Sequence, residues 1–227
     1  MNAIPLRRDV YYPESDGQPM AETGLHVQAM VDLLSALWTR YEGTPDVYVG
    51  GNQFLYYVEG NPRMVVAPDV FVVKGVPSKP PRRIYKLWEE RQPPCLVVEL
   101  TSDSTRKEDL ESKKLCYEQM GVEEYLLFDV LGDYLKPSLQ GFRLVDGRYR
   151  RIEPLFDGSL LSRPLGLRFH ADGPNLRLVD AETGEPLVRA TDMPTQESRL
   201  RAEKERADRM EEELARLRRE LEQARGE

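Results

Sequence analysis

The sequence predicts an α/β fold with a mixed sheet and a C-terminal coiled-coil helix. Residues 23–42 carry an apolar face with helical spacing, and short apolar, β-branched runs separated by turn residues follow them. From Thr195 onward, apolar residues recur every three or four positions among charged ones. We therefore expect a globular domain over residues 1–190 and a helical tail over residues 191–227.

Composition excludes several kinds of protein. Hydrophobic residues make up 40% and charged residues 31% of the 227 residues, which argues against a disordered chain. No apolar run approaches the roughly 18 residues of a membrane-spanning helix. The N-terminus also lacks the apolar core of a signal peptide. Because the two cysteines have no redox spacing, we expect a reduced, cytoplasmic protein.

The same counts limit the metals that the protein can hold. Two histidines exclude any site built on three of them, and two cysteines argue against a zinc site. A metal would be held mainly by carboxylates, which are ligands of Mg²⁺ and Mn²⁺. The net charge of −7 is mildly acidic and carries no global signature of nucleic-acid binding.

The first helix is predicted over residues 23–42. Thr23 suits its N-cap, and Gly43 suits the position just past its end. Its apolar stripe comprises Val27, Met30, Val31, Leu34, Leu37, Trp38 and Tyr41. The apolar runs that follow predict strands at Val47–Val49, Gln53–Val58, Met64–Val73 and Leu96–Leu100.

The second half of the domain is predicted to be one helix followed by strands. Helical spacing covers Lys107–Met120, and Gly121 ends it. Further on we expect a strand at Tyr125–Val130, a hairpin of Phe142–Val145 and Tyr149–Ile152 around Asp146-Gly147, and a later turn at Thr183-Gly184-Glu185.

The tail has a heptad pattern of a little over three repeats after a hinge at Asp192–Pro194. Its apolar seam comprises Leu200, Ala207, Met210, Leu214, Leu217, Leu221 and Ala224, and Glu203 is the polar member. A solvated single helix is the alternative, because charged residues dominate the segment. The pattern favours a coiled coil that joins two copies of the chain into a homodimer.

Two carboxylates interrupt apolar runs. Asp69 follows Met64–Pro68 and precedes Val70–Val73, while Glu99 lies between Val98 and Leu100. A charge within such a strand is costly unless it is paired, hydrogen-bonded or bound to a metal. The alternatives are a turn residue after Pro68 for Asp69 and a strand-end salt bridge for Glu99. Two such residues in separate strands favour a functional site.

A lysine on the second helix completes a candidate site. Helical spacing places either Lys113 or Lys114 on the stripe that also carries Leu110, Tyr117 and Met120. The alternative is a lysine whose stem is packed and whose ammonium lies in water. Two carboxylates and a lysine suit metal-assisted hydrolysis of a phosphodiester, because the carboxylates hold the cation and the lysine orients the attacking water.

The chain resembles a known family over residues 65–130. The matching stretches are Pro68-Asp69-Val70, Val97-Val98-Glu99, Ser102, Ser104-Thr105, Asp109, Lys113, Tyr117, Gly121-Val122, Glu124-Tyr125 and Asp129. Together they resemble the bacterial putative restriction endonuclease family of the PD-(D/E)XK nuclease superfamily. Thr101 stands where the superfamily motif has its lysine, and Asp103 where a proline is common. In this family the lysine lies on the following helix, where Lys113 matches it.

The resemblance implies a restriction-endonuclease-like mixed sheet flanked by helices and a DNA endonuclease that uses Mg²⁺ or Mn²⁺. Asp69, Glu99 and the Leu100 carbonyl would hold the metal, and Lys113 would act on the water side. His26, which lies off the apolar stripe, would support the metal or phosphate; an exposed helix-start histidine is the alternative. Glu22 would be a further ligand through water.

A basic segment offers a second surface for nucleic acid. Residues 74–91 contain six basic and two acidic residues, and within them Arg82, Arg83 and Lys86 are the candidate phosphate contacts. A solvated loop is the alternative. For the whole protein, the alternative to a nuclease is a catalytically silent member of this fold that acts as an oligomeric binding or regulatory module.

Overall fold

The computed structural model describes residues 10–15, 23–102, 105–193, 203–207, 209–210, 213 and 216. The chain divides into two compact units, Met1–Ala190 and Thr191–Glu227. In the part that the structure describes, no helix combines the length and the apolar character needed to cross a bilayer.

Strands dominate the first unit. In chain order they are β1 (Val47–Gly50), β2 (Leu55–Tyr56), β3 (Val65–Val66), β4 (Val70–Lys74), β5 (Tyr85–Lys86), β6 (Leu96–Thr101), β7 (Glu124–Asp129), β8 (Leu139–Val145), β9 (Arg148–Arg151), β10 (Leu160–Ser162), β11 (Leu167–Asp172) and β12 (Asn175–Asp180). The main sheet has the order β1-β4-β6-β7-β8-β9. Strands β6 and β7 are parallel and the other neighbours are antiparallel, which confirms the mixed sheet.

Two smaller sheets flank the main one. Strands β10, β11 and β12 form an antiparallel sheet, while β2 pairs with both β3 and β5. The run Met64–Val73, predicted as one strand, is therefore two strands in different sheets. The reason is Pro68, which has no N–H for a sheet ladder and is followed by Asp69 at the bend.

Helix α1 spans Gly24–Arg40, and Thr23 caps it by accepting a hydrogen bond from the His26 N–H at 3.2 Å. Its buried face differs from the predicted stripe. It includes His26, Ala29, Asp32, Leu33 and Ala36, whereas Val27, Val31 and Trp38 are exposed. Leu34 and Leu37 of the predicted stripe are also buried, so the inward face overlaps that stripe only in part.

The second predicted helix consists of two consecutive segments with different helical geometry. A π-helix over Glu108–Lys113 leads into α3 (Lys114–Met120), which ends at Gly121 with a positive φ of 81°. The short α2 (Leu87–Glu90) precedes β6, and a single 3₁₀ turn covers Ala190–Asp192. A π-helix changes the angular position of each side chain, and such turns often occur at functional sites.

The core lies on both faces of the main sheet. Helix α1 and the β10–β12 sheet pack on one face, against residues such as Val70 and Val98. Tyr117 of α3 packs on the other face, against Phe71 and Val97. Because side chains alternate along a strand, Asp69 and Glu99 belong to the face that carries α3.

The C-terminal elements agree with several predictions. Strands β8 and β9 form the predicted hairpin, with Asp146 and Gly147 both at positive φ as a tight turn requires. In the second unit, the described residues 203–207 and 209–210 are helical, and Ala207 and Met210 are exposed. The remaining seam residues lie outside the described part, so the coiled coil stays a prediction.

Gly51, which follows β1, lets the backbone pass close to Leu34 and Asp69. A Cβ on Gly51 would lie 2.8 Å from the Leu34 side chain and 2.9 Å from the carbonyl oxygen of Asp69. Gly51→Ala should therefore destabilise the protein by about 1–3 kcal/mol. Gly24→Ala is the control, because nothing lies within 4 Å of its added Cβ, and it should change stability by less than about 0.5 kcal/mol. Equal melting temperatures for the two variants would contradict this close packing.

Candidate active site

A cavity of about 290 Å³ lies where β4 begins and where β6 and β7 end. Helix α1 contributes its first turn and the π-helix contributes its inner face. The lining residues are Thr23, His26, Asn52, Ala67, Asp69, Glu99, Leu100, Thr101, Ser102, Thr105, Asp109, Lys113, Asp129, Val130, Leu131 and Tyr134. The predicted carboxylates and the lysine thus share one cavity.

Backbone contacts hold Asp69 in place. The Leu100 N–H donates to Asp69 Oδ2 at 2.7 Å. The Asn52 N–H donates to the carbonyl oxygens of Pro68 and Asp69, at 3.0 and 3.2 Å. His26 Nε2 lies 3.6 Å from Asp69 Oδ1. These contacts join β6 and the start of α1 to the Asp69 carboxylate, and the residue Asn52 after β1 to its backbone.

Glu99 is buried, with 1% of its surface exposed. The Tyr117 hydroxyl donates to its Oε1 at 2.6 Å, and Lys113 Nζ donates to its Oε2 at 3.1 Å. Both donors lie on the helical segment that connects β6 to the parallel strand β7, so this connection holds Glu99. This pairing is what makes a buried carboxylate tolerable.

Lys113, and not Lys114, reaches the cavity. Its ammonium lies between Glu99 Oε2 and Asp109 Oδ1, at 3.1 and 2.9 Å. Lys114 Nζ lies instead 3.6 Å from the centre of the Phe142 ring. The structure therefore distinguishes two lysines that the sequence left as alternatives.

The cavity is strongly acidic. Burial raises the pKa of Glu99, Lys113 opposes that shift, and the neighbouring Asp69 and Asp109 add to it, so that the pKa lies at about 8. Burial alone would lower the pKa of Lys113, but the carboxylates of Glu99 and Asp109 outweigh it and raise the pKa. One ammonium thus faces three carboxyl groups, so the charge balance of the cavity favours a further cation.

Asp129 lines the cavity but has a structural role. Its Oδ1 accepts the Gly132 N–H, and its Oδ2 accepts the N–H groups of Tyr134 and Leu135, all at 2.9 Å. Burial alone would raise the pKa of Asp129, but these backbone hydrogen bonds outweigh it and lower the pKa. The carboxylate therefore fixes the loop after β7.

The donor set suits a hard divalent cation. Within the described residues, no group of three or more His, Cys, Asp or Glu side chains has a metal-binding arrangement. Mg²⁺ does not require one, because it is commonly held by one or two carboxylates and keeps several waters. Asp69 and Glu99 provide two carboxylates, and Leu100, bonded to Asp69 through its N–H, lines the same cavity.

His26 is buried rather than exposed, and it faces the cavity from the first turn of α1. The capped helix start sets its position, because the Thr23 hydroxyl holds the His26 backbone N–H. The sequence placed His26 off the apolar stripe of α1. In the structure the buried face of the helix includes His26, so the exposed alternative was wrong. Glu22 lies outside the described residues.

The basic segment is not part of this cavity. Arg82 forms a bidentate pair with Glu90, with Nε at 2.5 Å and Nη2 at 3.0 Å, and stacks 4.3 Å from the Tyr48 ring centre. Lys86 pairs with Glu89, while the Arg83 side chain is 81% exposed and contacts Glu14. Arg82 thus has a structural role, and nucleic-acid contacts by Arg83 and Lys86 stay a prediction.

Several contributors were not assigned a role from the sequence. Asn52 holds the Asp69 backbone from a positive φ of 47°, and no sequence pattern marks such a residue. Tyr117 was assigned to the helix stripe, but its hydroxyl bonds Glu99. A tyrosine on a buried stripe beside a strand carboxylate is the signal that could have identified this bond.

The model of the Uma2 family, described as "Putative restriction endonuclease", matches residues 2–174. The chain belongs to this family. The family inferred from the motifs around Asp69, Glu99 and Lys113 is thereby confirmed, and membership supports a nuclease, a hydrolase acting on DNA.

Among solved structures, the chain is similar to a putative nuclease belonging to DUF820 from Anabaena variabilis ATCC 29413. The identity is 14%, the alignment covers 65% of this chain and 76% of that one, and the TM-score is 0.48. No curated protein matches the chain.

The acidic cavity leads to a stability prediction for metal-free protein. Asp69→Asn removes a negative charge beside the buried Glu99 and Asp109, while the amide oxygen can still accept the Leu100 N–H. In buffer with a chelator the melting temperature should rise by about 2–4 °C, which corresponds to about 1 kcal/mol in a domain of this size. Asp133→Asn, an exposed change nearby, should leave it unaltered. A lower melting temperature for Asp69→Asn would contradict charge repulsion at the site.

Proposed function

We propose that the protein is a divalent-metal-dependent endonuclease of the PD-(D/E)XK type that hydrolyses DNA phosphodiester bonds. The observation that carries the proposal is the meeting of Asp69, Glu99 and Lys113 in one cavity, although they come from the bend before β4, from β6 and from the π-helix. Family membership supports the same activity.

The residues divide into a cation-binding side and a water side. Asp69, Glu99 and the Leu100 carbonyl would hold Mg²⁺ or Mn²⁺. The bound cation supplies Lewis-acid polarisation of the phosphate and stabilises the leaving oxygen. Lys113 would orient the attacking water and offset the negative charge that develops on the phosphate. Its ammonium is suited to this, because the surrounding carboxylates keep it protonated.

Supporting residues keep these groups in position. The Leu100 N–H holds the Asp69 carboxylate, and the Tyr117 hydroxyl holds that of the buried Glu99. His26, 3.6 Å from Asp69 Oδ1, would stabilise the carboxylate or contact the phosphate from the α1 side. Such preorganisation matters because catalytic groups lose effect when they are displaced by about 1 Å.

Cleavage assays test the proposal. Asp69→Asn, Glu99→Gln and Lys113→Ala should each reduce the cleavage of plasmid and linear DNA in Mg²⁺ or Mn²⁺ by at least about a hundredfold. Circular dichroism should show an unchanged fold. Lys114→Ala is the matched control and should cut as well as the wild type, because Lys114 contacts Phe142 outside the cavity.

The outcomes separate the assignments. Wild-type cleavage by either carboxylate variant would refute the site. Loss of cleavage in Lys114→Ala with activity retained in Lys113→Ala would show that the other lysine is catalytic. If the wild type cuts neither DNA nor RNA with either metal, the catalytically silent oligomeric module would be the better interpretation.

We also propose that the tail joins two copies into a dimer, which would bring two sites to one duplex. The heptad seam is the support, because an isolated helix of this length gains most of its stability from packing. Deletion of residues 195–227 should lower the mass measured by light scattering, and Leu214→Lys with Leu217→Lys should do so without unfolding the domain. A full-length protein that is monomeric at tens of micromolar would contradict this.

A further inference from the structure

Lys113 has two partners where one would satisfy its charge. Its Nζ lies 3.1 Å from Glu99 Oε2 and 2.9 Å from Asp109 Oδ1. All three side chains are largely buried, with 17%, 1% and 2% of their surface exposed. Asp109 matches the family motif, but it has no role in the proposed mechanism.

The two partners differ in what else they do. Glu99 is a proposed ligand of the divalent cation, and its Oε1 already accepts the Tyr117 hydroxyl. Its Oε2 accepts from Lys113, so a cation bound to Glu99 would lie close to the ammonium. An ammonium and a divalent cation repel each other at such a distance. The Lys113 ammonium and the cation therefore compete for the Glu99 carboxylate.

Asp109 is built to hold the ammonium independently of Glu99. It lies on the π-helix, its N–H donates to the Thr105 carbonyl at 2.9 Å, and its carbonyl accepts the Tyr125 hydroxyl at 2.9 Å. Tyr125 belongs to β7, so the main sheet anchors the Asp109 backbone. The carboxylate can thus keep Lys113 within the cavity without help from Glu99.

We propose that Asp109 is a positioning residue that retains the Lys113 ammonium at the site when a divalent cation replaces it on Glu99. This inference rests on the proposed function, since it requires a cation at Glu99. Without Asp109, the ammonium has Glu99 as its nearest carboxylate and competes harder with the cation. Metal binding would weaken, and the lysine would be poorly placed for the water.

A simpler role for Asp109 makes a different prediction. If it merely adds negative charge to the cavity, its removal weakens cation binding by the same factor whether Lys113 is present or absent. If it acts by holding Lys113, its removal matters only when the lysine is there. A double-mutant cycle separates these two roles.

The experiment measures the binding of Mn²⁺ to four full-length proteins: wild type, Asp109→Asn, Lys113→Met and the double variant. Free Mn²⁺ is followed by electron paramagnetic resonance, so no cleavage is needed. Asp109→Asn should weaken binding about tenfold in the wild-type background and less than about threefold in the Lys113→Met background. Glu108→Gln, which removes an exposed carboxylate from the same turn, is the charge-matched control and should have little effect.

Equal weakening in both backgrounds would overturn the proposal, and so would a wild type that binds no Mn²⁺. The predicted coupling in a protein that cuts no nucleic acid would support the proposal while refuting the nuclease function. If Asp109→Asn does not fold, a crystal structure of the wild type with Mn²⁺ decides. Lys113 should then contact Asp109 but not Glu99, and an unbroken contact with Glu99 Oε2 would overturn the proposal.

Discussion

The buried carboxylate of Glu99 is the constraint on which the rest of the structure depends. A charge at the end of a fully buried strand requires partners, and both of them come from the helix that follows, as Lys113 and Tyr117. That requirement fixes the rotation of the helix and the depth at which it lies on the sheet. It also explains the acidic cavity, because Asp69 and Asp109 crowd around the same ammonium.

The site forms where β4 begins and β6 ends, because the two carboxylates meet there. Side chains alternate along β4 and β6, so Asp69 and Glu99 emerge on the same face. The hydrogen bond from Leu100 to Asp69 fixes the two strand ends against each other. The two carboxylates are thus held close together by contacts within the chain itself.

Periodicity and turn chemistry predicted much of this arrangement. The mixed sheet, the Thr23 cap and the Asp146-Gly147 hairpin follow from local rules that no long-range contact overrides. The motif identified the family, and the structure brings Asp69, Glu99 and Lys113 together. Helical spacing could not predict the π-helix, in which the Asp109 carbonyl accepts a hydrogen bond from Tyr125 of β7. The face of α1 and the pairing of Arg82 with Glu90 likewise depend on tertiary neighbours that a single sequence does not reveal.

The parallel pairing of β6 and β7 has a consequence for how the protein folds. Parallel strands need a crossover, and here the crossover itself carries Asp109, Lys113 and Tyr117. Lys113 is 14 residues from Glu99 along the chain, whereas the contact between Asp69 and Leu100 spans 31. Loop closure favours the nearer contact, so the lysine can neutralise Glu99 before β4 docks. A chain that folds in this order does not bury Glu99 as an unpaired charge, and Asp69 then joins a carboxyl group that already has its lysine partner.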